Sequence, residues 1–542
     1  MGLSTWKLFK KMGHNPLFAF IPFYNYLIIQ KETGHSKWWV ILAYLPIIGP
    51  IMMTVFHLFL MKHFGKNSFV QKLLTVFLPF IYMATVNYSK DAEVVKEDEI
   101  YLTEEEKAER KKESFVGSIT FAVVFATIVH VFITQPFGIP TGSMERTLLV
   151  GDFLFVNKWS YGYRMPMRPV AIPFLQGTIM DTGEKGNPKD DPKSYVDAIK
   201  LPYTRILQFK KPVKNDIVVF NYPQDSVHTA IDRKDPYVKR CVAVGGDIVE
   251  MKAGKLFING KPEIILADTQ QQHSFILQTS SELDIPSLFK KLEFFSVENV
   301  ALNGRFDQAF FEKYKISQEN YTYRMQLTDK LVNELKSLPE YISIQEEIED
   351  QGKAKVVYFD QNKTRIFRPY SIFPVNKPWN EDAYGPLKIP KKGDVIKVTQ
   401  ETFPEYEWLI SQYEKNTLEN NNGKIFINGK ETNQYTVQQD YYFMMGDNRD
   451  GSLDARFFGF VPEENIVGSP MFTWMSLEGA FADQGSDYQA DGLRVRWDRM
   501  FKATNTGEAH KTSYWWVAAI ILVLFFGWDY FAKFFKKKEK ED

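Results

Sequence analysis

Three apolar runs constrain how this chain can be laid out, because about 20 such residues are what a helix needs to cross the roughly 30 Å hydrocarbon core of a bilayer. Trp38 to Leu60 contains no Asp, Glu, Lys or Arg, Phe115 to Ile133 has His130 as its one ionisable side chain, and Tyr514 to Phe531 is interrupted only by Asp529 near its end. Each is expected to form a transmembrane helix. Phe69 to Val86, with Lys72 near one end and Pro79 inside, reads as a kinked helix that could also cross. Leu17 to Ile29 is shorter and contains Asn25, and it reads either as a short crossing or as a helix lying in the interface. The first 16 residues carry Lys7, Lys10 and Lys11 but no small-residue cleavage site after an apolar core, so no removable signal peptide is expected.

Charge placement orients these runs. Lys107, Arg110, Lys111 and Lys112 stand immediately before Phe115, and Lys533, Lys536, Lys537 and Lys538 follow the last run. The excess of basic residues on the cytoplasmic side of a membrane then puts 89–114 and the tail in the cytoplasm, and everything after about Thr134 on the extracytoplasmic face. Over the whole chain Lys+Arg and Asp+Glu balance at 66 each, so no global field argues for a nucleic-acid partner. Cys241 is the only cysteine, which excludes an intramolecular disulfide and a cysteine-built metal cage. No cofactor or metal is implied.

Between 135 and about 505 no uncharged run reaches membrane length. Short valine- and aromatic-rich runs such as Asp152 to Val156 and Asp216 to Phe220 alternate with Gly, Pro and Asn-Gly punctuation. That pattern predicts a mainly β extracytoplasmic domain added to α-helical transmembrane segments. Gly254 to Lys261 recurs nearly unchanged as Gly423 to Lys430, each copy ending in Asn-Gly-Lys, which predicts a repeated β-hairpin. The division that follows is an N-terminal membrane module at 1–88, a charged linker at 89–114, a transmembrane helix at 115–134 and a β domain in two parts. The parts are 135–261 and 391–505, separated by an inserted subdomain at 262–390. A C-terminal transmembrane helix at 514–532 and a basic tail at 533–542 complete the chain.

The chemistry centres on Ser143, on a glycine-assisted bend ten residues past the apolar run 115–133, which a tether of at most about 35 Å keeps near the bilayer. A serine hydroxyl is a weak nucleophile and needs a base. The β domain offers few histidines, His228, His273 and His510, and His228 reads as part of an exposed loop; no Gly-x-Ser-x-Gly elbow surrounds Ser143. A lysine can serve if burial lowers its pKa from about 10.4 by roughly 2–3 units. Lys239 lies in the strand-like run Tyr237 to Val244, where Lys239 and Arg240 face opposite ways.

Three blocks in order, Ile139 to Lys158, Tyr237 to Asp247 and Gly446 to Pro462, resemble the motif set of bacterial type I signal peptidases, also called leader peptidases. The resemblance spans about 135 to 475 apart from the insert and a shorter insertion at about 178–205. It does not reach 1–90. It implies a signal-peptidase-like fold of antiparallel β-sheets and a membrane-bound serine endopeptidase of the cytoplasmic membrane, multi-pass, working on its periplasmic face. Its partners would be membrane lipid and exported preproteins, cleaved after small residues at −3 and −1. By the same resemblance Ser143 is the nucleophile, Lys239 the general base, and the Ser143 N–H with the Thr141 hydroxyl the oxyanion hole. Ser452 would orient Lys239, Asp454 and Arg456 would form a supporting ion pair, and Asp447 and Arg449 would shape the turn. Phe137, Ile139, Met144, Leu148, Leu154, Val219, Tyr237 and Val238 would line the substrate pockets. The chain departs from the common pattern at Arg146, Gly451 and Ala455, where many members have Pro, Asn and Ser; Arg146 is expected to point to solvent. Two other readings stay open: a different Ser/Lys peptidase, of the self-cleaving repressor type, and a non-catalytic membrane scaffold with a peptidase-like β domain.

Overall fold

The computed structural model describes residues 1–34, 37, 39–44, 48–95, 134–172, 175–179, 191–225, 227–228, 230–292, 297–299, 308–352, 358–361, 364–367, 372–481, 492–504, 513–517 and 520. The chain divides into two compact units, Met1–Phe132 and Ile133–Asp542.

The first unit is helical, with Gly2–Lys11, Tyr24–Glu32, Trp39–Leu42, Ile48–His63, Phe69–Phe77 and Pro79–Tyr88 as its α-helices. Its first and last helices are fastened by Asn87, whose fully buried Oδ1 accepts the N–H groups of Lys7 and Leu8 at 2.8 and 3.1 Å. Trp38 to Leu60, expected as one crossing, is not one continuous helix among the described residues. The described part is a four-residue helix, a turn at Ala43 and Tyr44, and a 16-residue helix from Ile48. That second helix is about 24 Å long, short of a bilayer core. It carries Pro50 in its first turn, where the missing N–H costs no helical bond. Phe69 to Val86 is likewise two helices. Leu78, at φ −131° and ψ 50°, is held out of the helical region by the ring of Pro79. Leu17 to Ile29 is a 3₁₀ turn, Pro16–Phe20, followed by the start of the Tyr24–Glu32 helix. Among the described residues no helix is long and apolar enough to cross a membrane. Phe115 to Ile133 and most of Tyr514 to Phe531 lie outside the described residues.

The second unit is mainly β and, among the named strands, antiparallel. Seven strands build its principal path: β1 Thr134–Gly138, β2 Asp152–Asn157, β3 Ile217–Asn221, β4 Pro236–Val244, β5 Tyr441–Met445, β6 Val461–Pro462 and β7 Ile466–Glu478. They lie in the order β1-β2-β7-β3-β4-β5-β6, and short strands at Arg494–Val495 and Lys502–Ala503 also pair with β7. β5 is buried along its whole length and packs with Val218, Phe220 and Cys241 to Ala243 in the main core. Both Asn-Gly pairs close hairpins with left-handed backbone at each central residue: Asn259 and Gly260 at φ 54° and 74°, Asn428 and Gly429 at 52° and 75°.

Between the hairpins the chain builds a separate four-stranded sheet, in the order Val297–Asn299, Tyr321–Leu327, His273–Thr279, Tyr341–Glu346. The helix Asp329–Leu335 packs on it, capped by the Thr328 hydroxyl. The chain rejoins the body before residue 390, because Tyr384–Lys388 pairs with Ile248–Lys252 beside the first hairpin.

Candidate active site

The turn between β1 and β2 places Ser143. Residues Gly142–Met144 form one 3₁₀ turn preceded by Thr141 in extended conformation, and Gly142, Ser143 and Met144 are all buried. β4 places Lys239 opposite Val218 of β3. Its Nζ lies 2.6 Å from Ser143 Oγ and 3.1 Å from the carbonyl oxygen of Val238, with the side chain 3% exposed. Burial among apolar neighbours pulls the Lys239 pKa down to about 8, against the opposing pull of Asp454 and Asp447. A fall of this size raises the neutral fraction at pH 7 by roughly 10²–10³-fold.

Arg240, the next residue, serves a different purpose. It faces away from Lys239 and clasps Asp447, with Nε to Oδ1 at 2.8 Å and Nη2 to Oδ2 at 2.6 Å, both partners fully buried. Burial alone would raise the Asp447 carboxyl, but the Arg240 guanidinium overcomes it and holds the group below the usual carboxylate range. Asp447 Oδ2 also accepts the Thr147 hydroxyl at 2.6 Å. One carboxylate thus ties the segment carrying the nucleophile to the strand carrying the lysine. Asn448 adds two links to the same turn: its N–H donates to Ser143 O at 3.2 Å and its Nδ2 to Gly142 O at 3.1 Å.

The remaining motif residues scaffold this loop. Asp454 and Arg456 pair through two bonds of 2.9 Å, Asp454 accepts the Gly446 N–H at 3.2 Å, and Arg456 Nη2 donates to Arg449 O. Arg449 reaches Glu263, meeting its two oxygens at 2.7 and 2.8 Å. Ser452 differs from expectation: its buried hydroxyl has no hydrogen-bond partner among the described residues, so the Ser452–Lys239 bond is not formed here. It packs instead against Gly446, where a Cβ would meet Ser452 Oγ at 2.2 Å and Ser143 O at 2.4 Å. Arg146 is half-buried rather than solvent-directed, with Nη1 3.5 Å from Leu292 O. His228 is also mostly covered, and its Nδ1 is bound to Asp225 at 2.8 Å. The fourfold covered set Ile139, Met144, Leu148 and Leu154 packs with Ile217 and Val238 in one apolar cluster, and Phe137, Val219 and Val238 meet Val156 and Val467 in a second. Tyr237 stands apart from both, stacked on Tyr222 at 4.6 Å.

Sequence reading missed Arg240, Thr147, Asn448 and Glu263 as parts of the site. Arg240 carried a signal as the strand neighbour forced to the opposite face from Lys239, Thr147 and Asn448 lay inside the resembling blocks without an assigned role, and Glu263 carried none.

A buried serine hydroxyl beside a buried lysine is the arrangement that a serine hydrolase with a lysine base requires. Residues 112–292 and 379–475 match the family described as signal peptidase, peptidase S26, and the chain belongs to that family, which makes it a peptide-bond hydrolase of the signal peptidase type. Similar curated proteins include the Signal peptidase I of Buchnera aphidicola, 24% identical over 76% of this chain and 88% of its own length. The Signal peptidase I of Haemophilus influenzae is 28% identical over 70% of this chain and 74% of its own, and that of Helicobacter pylori strain 26695 is 25% identical over 72% and 92%. Residues 17–97 match a family of unknown function (DUF5684).

Proposed function

We propose that this chain is a membrane-bound endopeptidase that removes signal peptides from exported preproteins with Ser143 as nucleophile and Lys239 as general base. The observation that carries the reading is the 2.6 Å approach of the Ser143 hydroxyl to a lysine that burial has brought down to about 8. Neutral Lys239 takes the Ser143 proton as Oγ attacks the scissile carbonyl carbon. The Ser143 N–H and the Thr141 hydroxyl receive the developing oxyanion. Thr141 is exposed at the mouth of the turn, and the hydroxyl of an extended residue there is available to a substrate. The tetrahedral intermediate collapses by breaking the C–N bond, and the Lys239 ammonium protonates the departing amine of the mature protein. Water then attacks the Ser143 ester and gives a proton to Lys239, the bond between the acyl carbon and Ser143 Oγ breaks as the Lys239 ammonium returns that proton to Oγ, and the signal peptide leaves as an acid that ionises to the carboxylate in water. While Ser143 is acylated, Lys239 needs another partner, and the unpaired Ser452 hydroxyl is the group suited to that role.

The two apolar clusters meeting at Val238 are the surfaces we assign to the small side chains at −1 and −3. The apolar runs 115–133 and 514–531, the second with Asp529 near its end, would supply anchors on either side of the β unit, and the site would then stand beside the extracytoplasmic face of the cytoplasmic membrane, where a signal peptide emerges. A non-catalytic scaffold would have no need of a lysine buried against a serine.

Detergent-solubilised full chain is expected to cut a preprotein carrying Ala at −3 and −1, read by N-terminal sequencing of the product. The same preprotein with Leu at −1 is expected to remain intact. Equal cleavage of both would remove the small-residue specificity from the reading.

A further inference from the structure

We infer that Gln326, on the inserted subdomain, is a positioning residue for Ser143, acting through Asn448; the inference rests on the reading of Ser143 and Lys239 as the catalytic pair. The Asn448 side chain is completely buried, and both N–H groups of its amide and the amide oxygen are hydrogen-bonded. Its Oδ1 accepts the Gly451 N–H at 3.2 Å, and its Nδ2 donates to Gly142 O at 3.1 Å and to Gln326 Oε1 at 2.8 Å. The amide orientation follows from the fixed partners. A backbone N–H can only donate and a backbone carbonyl can only accept, so the oxygen must face Gly451 and the nitrogen Gly142. The second N–H of that nitrogen then needs an acceptor, and Gln326 supplies it. The residue so held is the one whose own N–H donates to Ser143 O.

The rest of the contact makes Gln326 part of a clasp. Gln326 lies opposite Ser274 in the insert sheet, and the Ser274 N–H donates to Asp450 Oδ2 at 2.6 Å. Gln272, just ahead of that strand, donates its N–H to Asp447 O and accepts the Arg449 N–H, both at 2.9 Å. The insert therefore adds main-chain bonds on either side of Asn448, and Gln326 adds a side-chain bond to the amide that holds the nucleophile turn. Gly451 belongs to the same arrangement. A Cβ there would fall 2.5 Å from Asn448 Nδ2 and 2.8 Å from Gln326 Oε1, so the space a side chain would need is taken by the two amides.

Removing the acceptor leaves a buried N–H unpaired and frees Asn448 to turn away from Gly142. Gln326→Leu in the detergent-solubilised full chain is expected to lower kcat for preprotein cleavage on the order of tenfold, with KM unchanged within about twofold. Gln326→Glu keeps an acceptor at the same reach and is expected to recover most of the loss. In an Asn448→Ala background, already slowed, Gln326→Leu is expected to cost nothing more, because the link it removes is gone. A kcat for Gln326→Leu within about twofold of the parent, or an equal loss in both backgrounds, overturns the inference. Should Gln326→Leu fail to fold, Gly451→Ala carries the test with the same expected kcat loss, since its methyl group would push the two amides apart, and an unchanged kcat there overturns the inference. Ser143→Ala run alongside separates the two readings: activity surviving in it refutes the catalytic pair, whereas its inactivity beside a fully active Gln326→Leu refutes the clasp alone.

Discussion

Ser143→Ala and Lys239→Ala are each expected to lower the turnover of preprotein cleavage by roughly 10⁴–10⁶-fold, with the double variant no slower than either single one. In the proposed mechanism the two side chains act as a unit, so losing either loses the proton transfer and the attack together. Serine without a base stays a hydroxyl of ordinary weak nucleophilicity; lysine without the serine has no proton to take. Lys239→Arg is expected to be as inactive as Lys239→Ala, because a guanidinium cannot give up its proton at any working pH. Stability moves differently from activity. The Lys239 cation is disfavoured by burial, as its lowered pKa records, so Lys239→Met, which keeps the stem and discards the charge, is expected to unfold no earlier than the parent in a thermal melt. A variant that loses activity by unfolding would show the opposite.

Asp447→Ala has the largest expected effect on the fold itself. It strands the Arg240 guanidinium in a fully buried position and removes the acceptor of the Thr147 hydroxyl. Breaking one side of a buried pair costs about 3–5 kcal/mol, because the remaining charge has no compensating partner. The expected result is a large fall in the unfolding midpoint of the full chain in detergent, together with lost cleavage, since the segment bearing Ser143 and the strand bearing Lys239 are joined through this carboxylate. The pH dependence of this contribution has a definite sign. The folded-state carboxyl is held below its ordinary value of 3.8, so its stabilisation is complete above that value and is lost only as pH falls through the lowered one. Between pH 5 and 6, above the Asp447 titration and below that of Lys239 at about 8, the gap in midpoint between parent and Asp447→Ala should stay constant. A gap that closes across that range would contradict the assignment of Asp447 as the charged partner of Arg240.

What could be read in the sequence followed how locally each feature is encoded. The Asn-Gly hairpins are short-range signals, and both appear where the repeat puts them. Ser143 and Lys239 were legible through three ordered blocks, and 2.6 Å between them is what the folded chain adds. Arg240 with Asp447 is another matter. These residues are 207 positions apart, and nothing in either neighbourhood says which acid the arginine will meet. Gln326 was further out of reach, because it sits in the insert, whose relation to the loop 446–456 is a matter of docking rather than of pattern. In the N-terminal module the helix boundaries were not legible from apolar length. Counting apolar residues over Trp38 to Leu60 and Phe69 to Val86 gives membrane length, but the helices stop and restart within those runs, at Leu78 because Pro79 follows. Apolar length sets an upper bound on a helix, and the residue before a proline sets where it ends.

The central claim is that a desolvated lysine is the base. Its most direct test is the pH dependence of kcat/KM for preprotein cleavage by the full chain, which reports the ionisation of the free enzyme. Activity requires the neutral amine, so the rate rises with pH, and the predicted rising limb has its midpoint at about 8, where burial has brought Lys239. A limb centred near 6.5 would contradict the account in favour of a histidine, and one that continued upward past about 10 would mean that no lowered lysine is at work.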